Sequence, residues 1–373
     1  MLSEQERKKY DRHLLLSEIG EEGQEKLKHS KVLVIGAGGL GCAVLPYLAA
    51  AGVGRIGIVD FDKVDESNLQ RQVLFSEEDI GQPKALIASA KIKKQNSLIA
   101  VSAYNEKLTV ENAEQLFTQH DIIVDCTDNF SSRYLINDAC VLAKKPMVYG
   151  SVHRFEGQVS VFNFGNNAPT YRCLFPFVPE DGSIPSCSEV GVLGVLPGIV
   201  GLLQATEVIK MITEAGEVLS GKLLFFDALT MKSSLIEFEK NELTDSRTPS
   251  SWDQLKKMDY NFGCKTITHN HSLSVEQVQE LIDSQEDIQF LDVRNPFEEP
   301  EMTEWNSQKI PLAEIENHLD KISGQKKVIL FCKSGSRSRM AVNLLKDKFN
   351  FWNVYSLEGG TDEWIRFKNT VTT

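Results

Sequence analysis

The sequence contains no apolar run long enough to cross a membrane. Its longest apolar stretch, residues 190–203, is interrupted by Pro197 and by several glycines, whereas a membrane-spanning helix takes about 20 consecutive apolar residues. The first 13 residues also lack the apolar core of a signal peptide. We therefore expect no membrane partner.

Basic charge is scarce as well. The 373 residues include 40 lysines and arginines against 52 aspartates and glutamates, which gives a net charge of −12. Broad binding of nucleic acid needs a basic face, so we expect no nucleic-acid partner. A nucleotide is not excluded, because its phosphates need only a few local cations.

Cysteines are few and scattered. The seven cysteines are an odd number and lack the dense spacing of a disulfide framework. In a reducing compartment such cysteines stay thiols that fill cores or carry chemistry. We therefore expect a cytoplasmic protein.

What the sequence does contain is a glycine-rich turn between two regular patterns. Residues 32–35 form a short, β-branched apolar run that predicts a strand, and a helical pattern follows the glycines. The spacing G-x-G-x-x-G is made by Gly36, Gly38 and Gly41. Glycine lets the backbone approach an anion, and a helix N-terminus offers free N–H groups. The unit predicts a nucleotide site, with a purely structural glycine turn as the alternative.

Polar residues after the next predicted strand indicate which kind of nucleotide binds. Residues 56–59 are apolar and end at Asp60, whose carboxylate can bind ribose hydroxyls. Asn68, Arg71 and Lys84 follow. Two cations and an amide suit a triphosphate undergoing displacement better than a dinucleotide, because cations stabilise charge that moves onto leaving pyrophosphate. For each cation taken alone, a solvated surface charge is the simpler reading.

A candidate magnesium ligand follows a buried strand pattern at residues 121–126. Asp128 stands at the carboxyl end of that strand, where ligands of open α/β sheets bind. A carboxylate there can hold Mg²⁺ against phosphates. Its alternative role is the N-cap of the helix that follows, and the local sequence favours neither.

The length of the chain and a change in pattern indicate a second domain. We predict a first domain over residues 1–245, an exposed linker over 246–268 and a small parallel α/β domain over 269–373. In the second domain a strand ends at Cys332, and its loop runs into a helix.

The loop after Cys332 is suited to binding a small anion. Successive N–H groups, the helix N-terminus and Arg337 would favour the thiolate form. Four residues separate Cys332 from Arg337, one fewer than in the C-x5-R loop of tyrosine phosphatases, so we favour sulfur transfer over phosphate-ester hydrolysis. A buried core cysteine is the alternative.

These motifs resemble two known families. Residues 1 to about 240 are similar to the MoeB/ThiF/HesA adenylyltransferases, which are relatives of the ubiquitin-activating enzyme. The matching segments are residues 10–13, the glycine stretch, 60–62, 67–71, 81–84, 125–129, 171–173 and 221–222. Residues from about 270 onward resemble a rhodanese domain through residues 291–294, 310–312, 332–338 and 357–360. The implied fold is a Rossmann-like ATP-binding domain with a mixed sheet, plus a small α/β rhodanese domain.

The resemblance implies a reaction. ATP, held with Mg²⁺, would adenylate the C-terminal glycine of a ubiquitin-like sulfur carrier of MoaD or ThiS type. Sulfur carried by Cys332 as a persulfide would then displace AMP to give a thiocarboxylate, for molybdopterin or thiamine biosynthesis. The donor of that sulfur would be a cysteine desulfurase or thiosulfate.

Carried over by position, the resemblance also assigns residues. ATP would be bound by Gly36, Gly38, Gly39, Gly41, Asp60, Asn68, Arg71, Lys84 and, through Mg²⁺, Asp128. The sulfur-binding loop would be Cys332, Gly335 and Arg337. Arg12 would reach the active site of a second subunit, which implies a homodimer. Cys187 would form a transient acyl or disulfide link to the carrier, with a spectator thiol as the alternative.

One departure from the family concerns zinc. Members usually bind zinc through two C-x-x-C pairs, whereas here Thr170 and Asn261 occupy the first position of each pair. Only Cys173 and Cys264 remain, and a closed zinc site takes four good ligands. We therefore predict no structural zinc.

Other functions stay open at this point. The same activation chemistry could serve tRNA thiolation. The glycine motif also fits an NAD-dependent oxidoreductase, and a non-catalytic scaffold that binds the carrier would retain the fold without the reaction.

Overall fold

The computed structural model describes residues 1–177, 191–241, 247–260 and 271–371. The described residues up to 260 belong to one compact unit, and those from 271 onward belong to a second. Each unit has its own sheet and its own hydrophobic core.

The first unit alternates helices and strands. Its helices are α1 (Glu4–Lys9), α2 (Asp11–Leu14), α3 (Gly20–His29), α4 (Gly39–Ala51), α5 (Lys84–Gln95), α6 (Ala113–Thr118), α7 (Phe130–Ala143), α8 (Tyr171–Leu174), α9 (Leu196–Thr213) and α10 (Trp252–Leu255). Its strands are β1 (Lys31–Ile35), β2 (Arg55–Val59), β3 (Ala100–Tyr104), β4 (Ile122–Asp125), β5 (Met147–His153), β6 (Glu156–Phe162), β7 (Lys222–Asp227) and β8 (Lys232–Glu237). Single turns of 3-10 helix occupy Glu66–Asn68 and Glu77–Asp79.

The eight strands form one mixed sheet in the order β3-β2-β1-β4-β5-β6-β7-β8. The strands from β3 to β5 run parallel, and β6, β7 and β8 extend the sheet antiparallel. The chain crosses from β1 to β2 on one side and later to β4 on the other. Ligands of such sheets bind where the strand order reverses, so β1 and β4 define where a site is expected. The predicted mixed α/β fold is confirmed.

Side chains of β1 alternate between two cores. Val32 and Val34 pack with α4 and α9 on one face of the sheet, and Leu33 and Ile35 pack with α6 and α7 on the other. A strand buried on both faces reads as an unbroken apolar run, which is why residues 32–35 predicted a central strand.

Helix α9 extends beyond the apolar run at residues 190–203, which we had judged too short to cross a membrane, and by length and composition alone it is long enough. However, 56% of it is buried inside the first unit. It packs against α4, β5 and β6. Its apolar character is explained by this central position.

The segment over residues 247–260 differs from the exposed linker that we predicted there. Leu255 is fully buried in the core beside α7, and Tyr260 is 7% exposed. The hydroxyl of Tyr260 donates to Asp138 at 2.6 Å, and the guanidinium of Arg172 donates to both carboxylate oxygens of Asp138 at 2.7 Å. A buried carboxylate needs such partners, and they fasten this segment to the first unit.

The second unit contains five strands, β9 (Ser272–Leu273), β10 (Ile288–Asp292), β11 (Gln308–Lys309), β12 (Lys327–Phe331) and β13 (Val354–Leu357). They form a parallel sheet in the order β11-β10-β12-β13-β9. Its helices are α11 (Val275–Asp283), α12 (Ser336–Phe349) and α13 (Gly360–Val371), with 3-10 helix at Thr303–Trp305 and Leu312–Lys321. The predicted small parallel α/β unit is confirmed.

The Asp138 contact allows a test of the packed segment. Tyr260→Phe removes one hydrogen bond to a buried carboxylate, and bonds to charged groups contribute roughly 1.5–3 kcal/mol. We expect a loss of that order in the free energy of unfolding, measured by urea titration, together with faster proteolysis within residues 247–260. Tyr47→Phe is the matched control, because Tyr47 is 58% exposed. Equal stability of the two variants would contradict the fastening role.

Candidate active site

At two positions of the glycine turn, a backbone carbonyl lies so close that there is no room for a side chain. Gly36 has a φ of +97°, and a Cβ there would lie 2.7 Å from the carbonyl oxygen of Cys126. A Cβ on Gly41 would lie 2.1 Å from the carbonyl oxygen of Gly36. Both positions therefore require glycine, and together they seat the first turn of α4 directly against the ends of β1 and β4.

The N-terminus of α4 is left open towards a ligand. Gly38 is the N-cap residue and has no side chain to cap the helix, so the first helical N–H groups are available to an anion. Gly38 and Gly39 line a cleft, and the Cβ of a residue at 38 would have its nearest neighbour 3.8 Å away. This end of the cleft is suited to phosphate.

Asp60 is held rigidly at the end of β2. Its two carboxylate oxygens accept the N–H groups of Ala37 at 2.7 Å and of Asp62 at 2.8 Å. Burial raises the pKa of Asp60, and these two N–H groups oppose that shift. Each oxygen keeps a lone pair that can accept a ribose hydroxyl.

Two of the three predicted phosphate-binding residues line the same cleft. Arg71 is half-buried and donates to the carbonyl of Ser67 at 3.0 Å. Lys84, at the start of α5, is 6% exposed, and its Nζ lies 3.3 Å from a carboxylate oxygen of Asp62. Both cations are therefore held in position before a ligand arrives.

Asn68 does not line this cleft. Its side-chain oxygen accepts the N–H of Asp65 at 3.4 Å, in a capping box at the 3-10 turn Glu66–Asn68. Its predicted phosphate contact therefore stays a prediction.

The structure distinguishes the two roles that we considered for Asp128. Asn129 is the N-cap of α7, since its side-chain oxygen accepts the N–H of Ser132 at 2.9 Å. Asp128 precedes the cap, is exposed and lines the cleft. Mg²⁺ is commonly bound by one or two carboxylates together with substrate phosphates. The position of Asp128 is compatible with that role, which stays a prediction.

A buried ion pair beside Asp128 is a feature that the sequence analysis missed. Arg133 lines the cleft one helical turn after Asn129, and its Nε lies 3.9 Å from Oδ2 of Asp125. Neither of these two atoms has a hydrogen-bond partner among the described residues. Burial raises the pKa of Asp125, and the charge of Arg133 opposes that shift. The spacing Asn129-x-x-x-Arg133 could have indicated that Arg133 lies near the cleft, because residues four apart share a helix face.

The volume of the cleft is about 1060 Å³, and this value includes the solvent-filled mouth. It brings together Gly36, Gly38, Gly39, Asp60, Arg71, Lys84 and Asp128. Gly41 is buried in α4, where it serves the close packing described above. A cleft that joins a helix N-terminus to cations such as Arg71 and Lys84 and to carboxylates such as Asp60 and Asp128 can hold a nucleoside triphosphate.

Arg12 lies on the surface, outside the set of residues that line the cleft. Its side chain is 89% exposed, and its Nη1 is 3.8 Å from the carboxylate of the adjacent Asp11. This position is compatible with the predicted contact to a second subunit, which stays a prediction.

In the second unit, Cys332 follows β12 and is fully buried. The N–H of Gly335 donates to its sulfur at 3.2 Å, and α12 begins at Ser336. Gly335 has a φ of +89°, which only glycine adopts readily. One backbone N–H, that of Gly335, therefore donates to the sulfur, and the predicted ring of several N–H groups stays a prediction.

Arg337 is placed differently from our expectation. Its Nη1 and Nη2 donate to the two carboxylate oxygens of Glu298 at 2.5 Å and 2.7 Å. This bidentate pair largely neutralises the cation that we expected to favour the thiolate. The correction arises because Glu298 lies in a loop far away in sequence.

Three residues connected with the cysteine predictions need separate mention. Cys187 and Cys264 lie outside the described residues. Cys173 accepts N–H groups of Thr170 and Asn241 at 3.3 Å and 3.4 Å. Thr170 offers no thiolate, so the described residues do not fit a closed zinc site, and the absence of zinc stays a prediction.

The sequence matches the ThiF family over residues 10–248 and the rhodanese-like domain over residues 274–367. It is 42% identical to a probable adenylyltransferase/sulfurtransferase, MoeZ, of Mycobacterium tuberculosis, across 98% of this chain and 94% of that one. It is 48% identical to a sulfur carrier protein adenylyltransferase of Thermus thermophilus, across 64% of this chain and 90% of that one.

Among solved structures, the crystal structure of Escherichia coli MccB with ATP is similar to the chain at a TM-score of 0.51 and 26% identity. The match covers 59% of this chain and 67% of MccB.

The close approach at Gly41 leads to a prediction. Gly41→Ala places a methyl group 2.1 Å from the carbonyl of Gly36, so α4 must move away from the turn, and such overpacking costs about 1–3 kcal/mol. We expect weaker ATP binding by calorimetry and a lower melting temperature. Gly198→Ala is the matched control, because a Cβ there has no neighbour within 4 Å. Unchanged ATP affinity in Gly41→Ala would show that the turn does not shape the site.

Proposed function

Since the chain belongs to the ThiF family and carries a rhodanese-like domain, it is an adenylyltransferase and sulfurtransferase, and we propose that it acts on a ubiquitin-like sulfur carrier of MoaD or ThiS type. ATP activates the C-terminal glycine of the carrier, and sulfur replaces AMP to give a thiocarboxylate. The observation that supports this most is the convergence of Arg71, Lys84 and Asp128 on the open end of α4 in one cleft.

In the first step a carboxylate oxygen of the terminal glycine attacks the α-phosphorus of ATP. The bond from that phosphorus to the β-phosphate oxygen breaks, and pyrophosphate leaves with the electron pair. Negative charge therefore builds on the leaving group, and positioned cations stabilise it. We assign that role to Arg71 and Lys84.

The remaining groups of the cleft bind and orient the nucleotide. Asp60 accepts the ribose hydroxyls, and the free N–H groups at Gly38 and Gly39 bind phosphate. Asp128 would hold Mg²⁺, which neutralises phosphate charge when bound. Arg12, supplied by the second subunit of a homodimer, completes the site in this proposal.

In the second step the terminal sulfur of a persulfide on Cys332 attacks the carbonyl carbon of the adenylate, and AMP leaves, so that an acyl disulfide on Cys332 forms. A second thiolate then attacks the sulfur of Cys332. The S–S bond breaks, the thiocarboxylate leaves with its electron pair, and the new disulfide on Cys332 is reduced by a thiol reductant before the next cycle. A cysteine desulfurase or thiosulfate would donate the sulfur that converts the thiol of Cys332 to the persulfide. We assign Cys187 the transient acyl or disulfide link to the carrier. The carrier determines the pathway, which we propose to be molybdopterin or thiamine biosynthesis.

The adenylation step is tested by ATP–pyrophosphate exchange with purified carriers. Exchange should require the terminal glycine of the carrier, and Arg71→Ala or Lys84→Ala should lower its rate about a hundredfold or more, as loss of one transition-state contact commonly does. Lys63→Ala is the control and should keep full exchange, because Lys63 is exposed and is not among the residues that line the cleft. If no MoaD or ThiS type carrier supports exchange, the proposal fails. Carriers of tRNA thiolation, tested beside them, decide between the pathways.

The division of labour between the two units has its own test. Cys332→Ser removes the only thiol of the sulfur loop, so thiocarboxylate formation, followed by the mass of the carrier, should stop. Pyrophosphate exchange should continue at the unaltered rate, because Cys332 takes no part in adenylation. An equal fall in both activities would contradict separate roles for the two units.

A further inference from the structure

Two buried serine hydroxyls lie behind the sulfur of Cys332. Ser338 is in the first turn of α12 and Ser356 is on β13, and they are 0% and 2% exposed. The Oγ of Ser338 is 3.7 Å from the Cys332 sulfur, 3.0 Å from the carbonyl oxygen of Gly335 and 2.8 Å from the Oγ of Ser356. The Oγ of Ser356 is also 3.4 Å from that carbonyl oxygen.

The two hydroxyls have fewer protons than possible acceptors. Each hydroxyl donates one hydrogen and can accept more than one. Ser338 can therefore donate either to Gly335 or to the sulfur of Cys332. When Ser338 donates to the sulfur, Ser356 can donate to Ser338. Both hydroxyl protons therefore remain hydrogen-bonded in this arrangement. Rotation of two hydroxyls is sufficient to change from one arrangement to the other.

A negative charge on sulfur determines which arrangement is preferred. A neutral thiol is a weak acceptor, and the nearer carbonyl of Gly335 then competes well for the proton of Ser338. A thiolate is a charged acceptor, and hydrogen bonds to charged groups are the stronger ones. Donation from Ser356 further polarises the hydroxyl of Ser338. In the described part of the chain, the N–H of Gly335 donates to the same sulfur.

We propose that Ser338 is a catalytic residue of sulfur transfer, donating a hydrogen bond to the Cys332 sulfur whenever that atom is anionic, and that Ser356 positions it. The proposal rests on the proposed function in one respect, that Cys332 carries the sulfur. It adds a hydroxyl donor to the backbone N–H of Gly335.

The chemistry makes the sulfur of Cys332 anionic twice in a cycle. In loading from thiosulfate, the thiolate attacks the outer sulfur, a new S–S bond forms, and sulfite leaves with the electrons of the old S–S bond. In discharge to cyanide, the carbon attacks the terminal sulfur, the S–S bond breaks and thiocyanate forms. The electron pair then returns to the sulfur of Cys332, where Ser338 stabilises the leaving thiolate.

The experiment uses the full-length protein with thiosulfate as donor and cyanide as acceptor. Ser338→Ala should lower kcat about tenfold to a hundredfold, the usual effect of one hydrogen bond to a charged group, with little change in KM. Ser338→Thr retains the hydroxyl and should recover most of the rate. Ser356→Ala should cause a smaller loss, and the double alanine variant should be no slower than Ser338→Ala alone, because Ser356 acts through Ser338.

A control comes from the same loop. The hydroxyls of Ser334 and Ser336 contact each other at 3.2 Å, and Ser334 is exposed. Ser334→Ala should keep the wild-type kcat. A kcat within about twofold of wild type in Ser338→Ala would overturn the proposal, and so would additive losses from the two buried serines.

A second measurement does not depend on the sulfur donor. The rate at which iodoacetamide alkylates Cys332 at neutral pH, followed by peptide mass spectrometry, reports thiolate reactivity and should fall about tenfold in Ser338→Ala. Thermal unfolding shows whether each variant is folded. If Ser338→Ala does not fold, Ser356→Ala decides the question: slower alkylation supports the proposal, and an unchanged rate overturns it.

The two proposals fail in different ways. If Cys332→Ser keeps sulfur transfer, the proposed function of the second unit is wrong. If Cys332→Ser loses transfer while Ser338→Ala keeps both transfer and alkylation rate, only the role of Ser338 is wrong. Pyrophosphate exchange should be the same in all serine variants.

Discussion

The contact between Gly41 and the carbonyl of Gly36 is the constraint on which the first unit depends. No side chain fits in that space, so a turn of three residues is enough to connect the end of β1 at Ile35 to the start of α4 at Gly39. This short connection leaves the N-terminus of α4 uncapped at the carboxyl edge of the sheet. Asp60 follows β2 and Asp128 follows β4 on either side of β1, and the polar groups of one cleft are thereby collected from distant parts of the chain.

The charges of the cleft are held in place by the protein itself. Asp60 is fixed by two backbone N–H groups, Lys84 lies beside Asp62, and Arg133 lies beside Asp125. Groups that are already oriented need no reorganisation when charge develops in a transition state. The sulfur loop uses the same arrangement on a smaller scale, since a strand, a glycine with positive φ and a helix N-terminus enclose the sulfur of Cys332.

Several features could be predicted because they depend on local sequence. A β-branched apolar run, a glycine turn and a helical pattern are recognisable over about ten residues each, and their order along the chain identified both units. Asp128 shows the limit of such reasoning. Its neighbour Asn129 competes for the same N-cap position, and only the hydrogen bond from Ser132 decided which of the two caps the helix α7.

The sequence alone determined the α/β class, the glycine turn of the first unit and the order of the polar residues that follow its strands, since strand, turn and helix propensities act between near neighbours. Only the tertiary structure decided the rest. Residues 247–260 pack against the first unit through Tyr260 and Asp138, which are 122 positions apart. Arg337 pairs with Glu298, 39 positions away, instead of serving as an open cation. Both outcomes depend on which distant side chains the folded sheet brings within hydrogen-bond distance, and no local pattern contains that information.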